Sequence, residues 1–179
     1  MREDETAAAG EMVCLVDEKN NVLGAVPRRQ MREQRLLHRA TYIFVFHSSG
    51  QLYVQRRTMN KDLYPGYWDP AAGGVLLAGE SYEESARREL EEEFGVRNVP
   101  LESHFDFYFE DVDGRVWGGV FSCVYDGELK LQADEVQGVQ LMTIDQIFAP
   151  ASGDSFAPDS LEALRLYVEH RRVSSAPPS

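Results

Sequence analysis

Between Glu80 and Glu93 the chain carries seven glutamates against two arginines, Arg87 and Arg88. Like charges three or four residues apart on a helix repel by about 0.2–0.5 kcal/mol per pair. With about 100° per helical residue, Glu93 lies roughly 40° to one side of Glu89 and Glu92 roughly 60° to the other. Tyr82, Ala86, Leu90 and Phe94 form a neighbouring apolar stripe, while Glu84, Arg87 and Glu91 face away from it. Such a helix has a core face, a solvent face and a concentrated carboxylate edge. Glutamate is a good helix former and a plain solvated face would look similar. A carboxylate edge beside a glycine pair, Gly73-Gly74, also suits a hard cation, which takes oxygen ligands.

The elements that must position this edge are legible around it. Ser81 opens the helix, with Glu84 three residues on forming a capping box, and Gly95 stops it after Phe94. Upstream, "KDLYPGYWDPAAGG" is a Pro/Gly-punctuated loop. "MVCLVDEKNNVLGAVPR" reads as two short strands around a polar turn, and "RRQMREQRLLH" as a short helix. "TYIFVFHSSGQLYVQRR" reads as a hairpin turning at Ser48–Gly50, and "HFDFYFEDVDGRVWGGVFSCVY" as a second one turning at "DVDG". A strand near Val136–Met142, a helical "TIDQIFA" and a last helix beginning at Asp159 or Ser160 follow. Interleaved strands and helices, with several strands paired in hairpins, give an α/β chain with a mixed sheet covered by helices.

At 179 residues the chain suits one domain. Residues 1–10 and 173–179 read as flexible tails around a domain spanning 11–172. Thirty acidic against eighteen basic residues give a net charge of −12, which argues against a nucleic-acid partner. No apolar run is long enough to cross a membrane and no apolar signal core follows Met1, so the expected compartment is the cytoplasm. Cys14 and Cys123 stand alone in apolar runs and read as small buried thiols, and the four histidines show no ligand spacing.

Residues 74–96 spell G-x5-E-x7-R-E-U-x-E-E-x-G-U, with U a bulky aliphatic residue, filled by Gly74, Glu80, Arg88, Glu89, Leu90, Glu92, Glu93, Gly95 and Val96. This is the Nudix box, and the chain resembles a Nudix hydrolase. The resemblance implies an α/β/α sandwich with a mixed sheet and the box as loop-helix-loop. It also implies a magnesium site, with manganese as an alternative, on Glu89, Glu92, Glu93 and a loop carbonyl from Gly73 or Gly74. Glu92 and Glu93 would be the main ligands and Glu89 a ligand or the general base. Arg88 would pair with Glu92 or hold Glu89, while Glu80 would brace the loop and Arg88. Asp134 or Glu135, before a strand, matches the place of an extra catalytic glutamate in the family. Arg57 and Lys61 fall in its phosphate-binding segment. Trp68, Tyr64, Tyr67 and Trp117 could stack on a base, Trp68 foremost, or simply pack in the core. The partner implied is a small-molecule diphosphate, a nucleoside diphosphate or a compound linked to one.

The segment from "LLHRATYIFVF" through "QRRTMNKDLYPGYWD" is more similar to isopentenyl-diphosphate isomerases than to generic Nudix hydrolases. The isomerase's cysteine acid, however, is replaced by Gly73 and its histidine ligand by Val75. The carboxylates of its later strand are missing near "RVWGG", which offers Trp117. Only His38 keeps an isomerase ligand position. Protonating an alkene requires a positioned acid, and here neither Gly73 nor Val75 can supply one. The residues read as a hydrolase, with a non-catalytic nucleotide sensor and an isomerase as the lesser alternatives.

Overall fold

The computed structural model describes residues 10–149 and 155–175; the expected tails at 1–9 and 176–179 lie outside the described residues. The strands are β1 (Met12–Val16), β2 (Val22–Pro27), β3 (His38–Phe46), β4 (Leu52–Arg57), β5 (Trp68–Asp69), β6 (Glu102–Glu110), β7 (Arg115–Val124) and β8 (Val136–Met142). The helices are α1 (Arg28–Glu33), α2 (Tyr82–Phe94), α3 (Ile144–Ile147) and α4 (Pro158–Ser175). The last helix therefore runs three residues past the expected boundary at 172.

β3 organises the sheet. Its run of Tyr42, Ile43, Phe44 and Val45 is buried on both faces, as a central strand covered on two sides should be. Successive side chains alternate faces. Tyr42 and Phe44 pack with Leu52, Val54 and with Ala163, Leu164 and Tyr167 of α4. Ile43 and Val45 pack with Phe121 and with Ala86, Leu90 and Phe94 of α2. One helix on each face of a mixed sheet is the α/β/α sandwich. The mixture comes from β3, which pairs parallel with β7 from His38↔Val116 to Phe46↔Val124, whereas its neighbours β1 and β4 are antiparallel to it.

The expected β3–β4 hairpin forms only at its turn, where Phe46 pairs with Leu52. Beyond that the two strands part. β4 pairs with β8 on one side and β5 on the other, and the gap beside β3 is filled by the loop after β5. Ile43 and Ala72 exchange backbone hydrogen bonds at 2.7 and 2.9 Å, Thr41 N donates to Gly74 O at 2.9 Å, and Leu76 N donates to Arg39 O at 3.0 Å. The chain then crosses to β1, where Cys14 N donates to Leu76 O. This wedge carries Gly73 and Gly74 into the middle of the sheet edge, close to α2.

α2 is bounded as its sequence indicates. Ser81 Oγ accepts from Glu84 N at 3.1 Å and Gly95 closes the helix at φ 68°. The Glu84 side chain is solvent-exposed and does not return the second bond of the expected box; Thr143 and Gln146 of α3 form a complete one. Cys14 and Cys123 are buried free thiols, as expected. No helix among the described residues is long and apolar enough to cross a membrane.

Phe94 is fully buried where α2 meets the sheet. Phe94→Ala should cost about 3–5 kcal/mol, read as a lower denaturant midpoint with the slope of the transition unchanged.

Candidate active site

The glycine wedge and α2 approach closely. A Cβ on Gly73, at φ 139°, would sit 2.0 Å from Thr41 O; one on Gly74 would sit 2.6 Å from Glu89 Oε1. Only glycine lets the backbone come this near the carboxylate edge. Gly74 O is taken by Thr41 N, whereas Gly73 O has no hydrogen-bond partner among the described residues.

Arg88 is the hub of the exposed side of the edge. Its Nε and Nη2 bind both oxygens of Glu80 at 2.8 and 2.9 Å, and its Nη1 reaches Glu89 at 3.0 Å and Glu92 at 3.2 Å. Glu80 also accepts from Leu77 N at 2.7 Å, so one carboxylate ties the loop to the helix. Burial opposes its ionisation, but the Arg88 and Leu77 hydrogen bonds outweigh that and hold its carboxyl below the usual range. The expected bracing roles of Glu80 and Arg88 agree with this geometry.

Glu93 is different. It is only 3% exposed and stands on the inner side of the helix. Its Oε2 accepts from Gly73 N at 3.2 Å and from Nε2 of Gln55 at 3.3 Å. Burial, reinforced by the charge of Glu89, pushes its carboxyl up to about 8. Burial raises Glu89 as well, against the pull of Arg88. Gln55 was not singled out from sequence; a glutamine buried in a strand is its only local signal.

Lys61 lies across the groove, its Nζ paired with the Glu135 carboxylate. Burial lowers its proton affinity, while the charges of Glu93 and Glu89 hold the proton on. Glu135 and Asp134 therefore do line the groove with Arg88, Glu89 and Glu92. Arg57 does not offer itself freely. Its Nε and Nη2 donate to Leu63 O at 3.1 and 2.8 Å and its Nη1 pairs with Asp69 at 3.3 Å, so it braces the 58–67 loop. Trp68 lines neither cavity of the site. β5 pairing and Ala157 N, which donates to Trp68 O, turn it toward the α4 side of the core, beneath Arg56. Trp117 packs elsewhere, beside Cys14 and Leu76, and of the aromatic candidates Tyr64 alone reaches a cavity wall.

Two spaces meet at the wedge. An outer groove of about 480 Å³ runs along the carboxylate edge. An inner cavity of about 100 Å³ extends past Gly73–Val75 to Tyr42, Asp69 and Asp159. His38 borders this inner cavity. Its Nδ1 contacts Leu36 O at 3.0 Å, and burial lowers the imidazole to about 4, which leaves it neutral.

Among the described residues no three acidic, histidine or cysteine side chains stand at metal-ligating spacing. Mutual repulsion and the hold of Arg88, Gln55 and Gly73 N keep the three glutamates apart. Their chemistry nonetheless fits a hard divalent cation. The donors are carboxylate oxygens, the Gly73 carbonyl has no hydrogen-bond partner among the described residues, and buried Glu93 has only amide donors in direct contact.

A family model for the NUDIX domain matches residues 36–164. The chain belongs to the Nudix family. It is similar to an uncharacterized Nudix hydrolase of Escherichia coli, YfcD, at 48% identity over 97% of this chain and 96% of that one. It is likewise similar to an uncharacterized Nudix hydrolase of Pseudomonas aeruginosa, at 46% identity over 91% and 96%. Among solved structures, a Deinococcus radiodurans protein superposes with a TM-score of 0.76 at 27% identity, covering 87% of this chain and 98% of its own. The Nudix domain of Shewanella oneidensis NrtR, determined with ADP-ribose, shares the fold at a TM-score of 0.58 and 18% identity, covering 98% and 100%. The Nudix fold expected from the box is thus present, and the chain is a Nudix-family hydrolase.

The buried Glu93 predicts a pH dependence. Its carboxyl is raised in the fold, so between about pH 4.5 and 8 the native state holds a proton that the unfolded chain has released, and stability falls as pH rises. Thermal melts of the chelator-treated protein should show a higher Tm at pH 6 than at pH 8. Glu93→Gln should flatten that slope and raise Tm at pH 8.

Proposed function

We propose that this Nudix hydrolase cleaves a phosphoanhydride bond of a nucleoside diphosphate or a nucleoside-diphosphate-linked compound by water attack at phosphorus. The observation that carries the reading is an open groove lined by Glu89, Glu92 and the Gly73–Gly74 backbone, with Glu93 just beneath it held by Gly73 N. Glu92, Glu93 and Gly73 O would hold magnesium, or manganese in its place, with Glu89 beside them as a further ligand or as the general base. When bound, the cation would neutralise charge on the phosphate oxygens and acidify a coordinated water.

The chain's own residues divide the remaining work. Arg88 and Glu80 fix the direction of the edge, and the wedge fixes its distance from the substrate. Glu89 is the better of the two candidate bases. It is the more buried of the two, and burial raises its affinity for a proton against the pull of Arg88. As the water oxygen bonds to phosphorus, Glu89 takes the proton, the P–O–P bond breaks, and a monophosphate leaves. Lys61, held low over the groove, supplies positive charge toward the transferred group.

The lesser readings lack support at the site. A sensor has no need of an intact edge. An isomerase needs an acid over a hydrocarbon tail, and Gly73 and Val75 stand where its acid and ligand would be.

A magnesium-supplemented screen of nucleotides and nucleotide conjugates, with products identified, tests the reading directly. Glu92→Gln should lower kcat by at least a hundredfold with the fold intact. Glu91→Gln, at an exposed neighbour whose carboxylate pairs with Arg97, should change it by less than twofold. Near wild-type turnover in the first variant at saturating magnesium would refute the metal-ligand assignment. Incubation of isopentenyl diphosphate in deuterated water should give no label exchange, and an allylic product would overturn the hydrolase reading.

A further inference from the structure

Helix α1 overhangs the junction of the two cavities. Arg28 and Arg32 both line the inner cavity and the outer groove, together with Lys61, Asp62 and Gly73–Val75. They were not among the sequence candidates, because nothing local distinguishes them from Arg29 and the other arginines of "RRQMREQR".

Their geometry is unusual for surface cations. Both Nε atoms converge on one oxygen of Asp62, Arg32 at 2.9 Å and Arg28 at 3.5 Å. The side chains are only 20% and 25% exposed, so each guanidinium is held in place rather than swinging in solvent. Glu11 approaches Arg28 Nη1 at 3.7 Å. Both Nη groups of Arg32 and the Nη2 of Arg28 have no protein partner among the described residues. Asp62 takes both Nε atoms and Glu11 lies near Arg28 Nη1, so the donors left open are the Nη groups of Arg32 and the Nη2 of Arg28.

A planar guanidinium offers paired N–H donors that match phosphate oxygens, and fixing it beforehand removes the side-chain entropy cost of binding. We propose that Arg28 and Arg32, pinned by Asp62, form an anion clamp for the phosphoryl group that lies away from the carboxylate edge. The clamp rests on the hydrolase reading for its role in turnover, but not for its existence as an anion site. It would span the substrate between two oppositely charged banks, with the carboxylates and their cation on one side and the arginine fork on the other. Arg57, tied to Leu63 and Asp69, then serves to hold the loop from which Asp62 pins the fork.

Inorganic phosphate, titrated into the full chain with metal chelated and followed by phosphorus NMR line broadening, tests this without requiring hydrolysis. Arg32→Ala should weaken phosphate binding at least fivefold and Arg28→Gln at least threefold. Arg32→Lys should fail to restore it, since a lysine lacks the fork. Arg29→Ala removes the same charge from an exposed position on the same groove and should cost less than twofold. In turnover, Arg32→Lys should raise KM more than it lowers kcat. Phosphate binding by Arg32→Ala within twofold of wild type would overturn the clamp, as would an absence of binding by wild type. Equal losses in Arg29→Ala and Arg32→Ala would show only a diffuse positive field and would also overturn it. If phosphate binds as expected but no diphosphate compound is hydrolysed, the clamp stands and the hydrolase assignment fails.

Discussion

Negative charge buried against negative charge is the constraint on which the site depends. Glu93 sits inside the protein beside Glu89, with only amide donors, Gly73 N and the Gln55 side chain, in direct contact. Placing a carboxylate there is unfavourable unless it stays protonated or a cation arrives. The fold tolerates it because the rest of α2 is well anchored. Ala86, Leu90 and Phe94 are buried against the sheet, and Arg88 with Glu80 fixes the outer half of the edge with four hydrogen bonds to carboxylates.

The second requirement is a backbone that comes close to that edge, and the sheet provides it by an irregularity. β3 and β4 leave their turn paired and then separate, and the segment from Ala72 to Leu76 takes the vacated edge of β3. Hydrogen bonds to Ile43, Thr41 and Arg39 make the loop a part of the sheet rather than a flexible lid. Gly73 and Gly74 are needed at its closest points because a side chain would collide with Thr41 O or with Glu89. Buried Gln55 links the two halves, donating to Ala71 O at 2.8 Å and to Glu93.

The isomerase resemblance expected from the sequence can be set against the residues that line the inner cavity. The shared segment shapes the inner cavity, with neutral His38 on its wall, and the 58–67 loop. At the two positions where isomerase chemistry needs functional side chains, this chain has Gly73 and Val75. Gly73 lines the groove without a side chain, and Val75 is 5% exposed and packs with Val13 and Met31.

What the sequence determined by itself was mostly local or periodic. The helical repeat put Glu89, Glu92 and Glu93 on one edge and Leu90 and Phe94 on another, Ser81 and Gly95 bounded the helix, and the box spacing marked the family. Apolar runs on either side of the Ser48–Gly50 and "DVDG" turns marked the strands β3, β4, β6 and β7. The tertiary structure decided which charges meet. Arg57 and Trp68 stood in the right segment, yet Arg57 is drawn to Leu63 O and Asp69, and Trp68 to the α4 side of the core. Lys61 finds Glu135, and Arg28 and Arg32 find Asp62, over separations of roughly thirty to seventy residues. The Lys61–Glu135 meeting depends on the β4–β8 pairing, which sets Arg57 opposite Val136, a contact between distant segments that no local pattern encodes. Helix periodicity is a property of neighbours in the chain; the partner of a long charged side chain is a property of the folded surface around it.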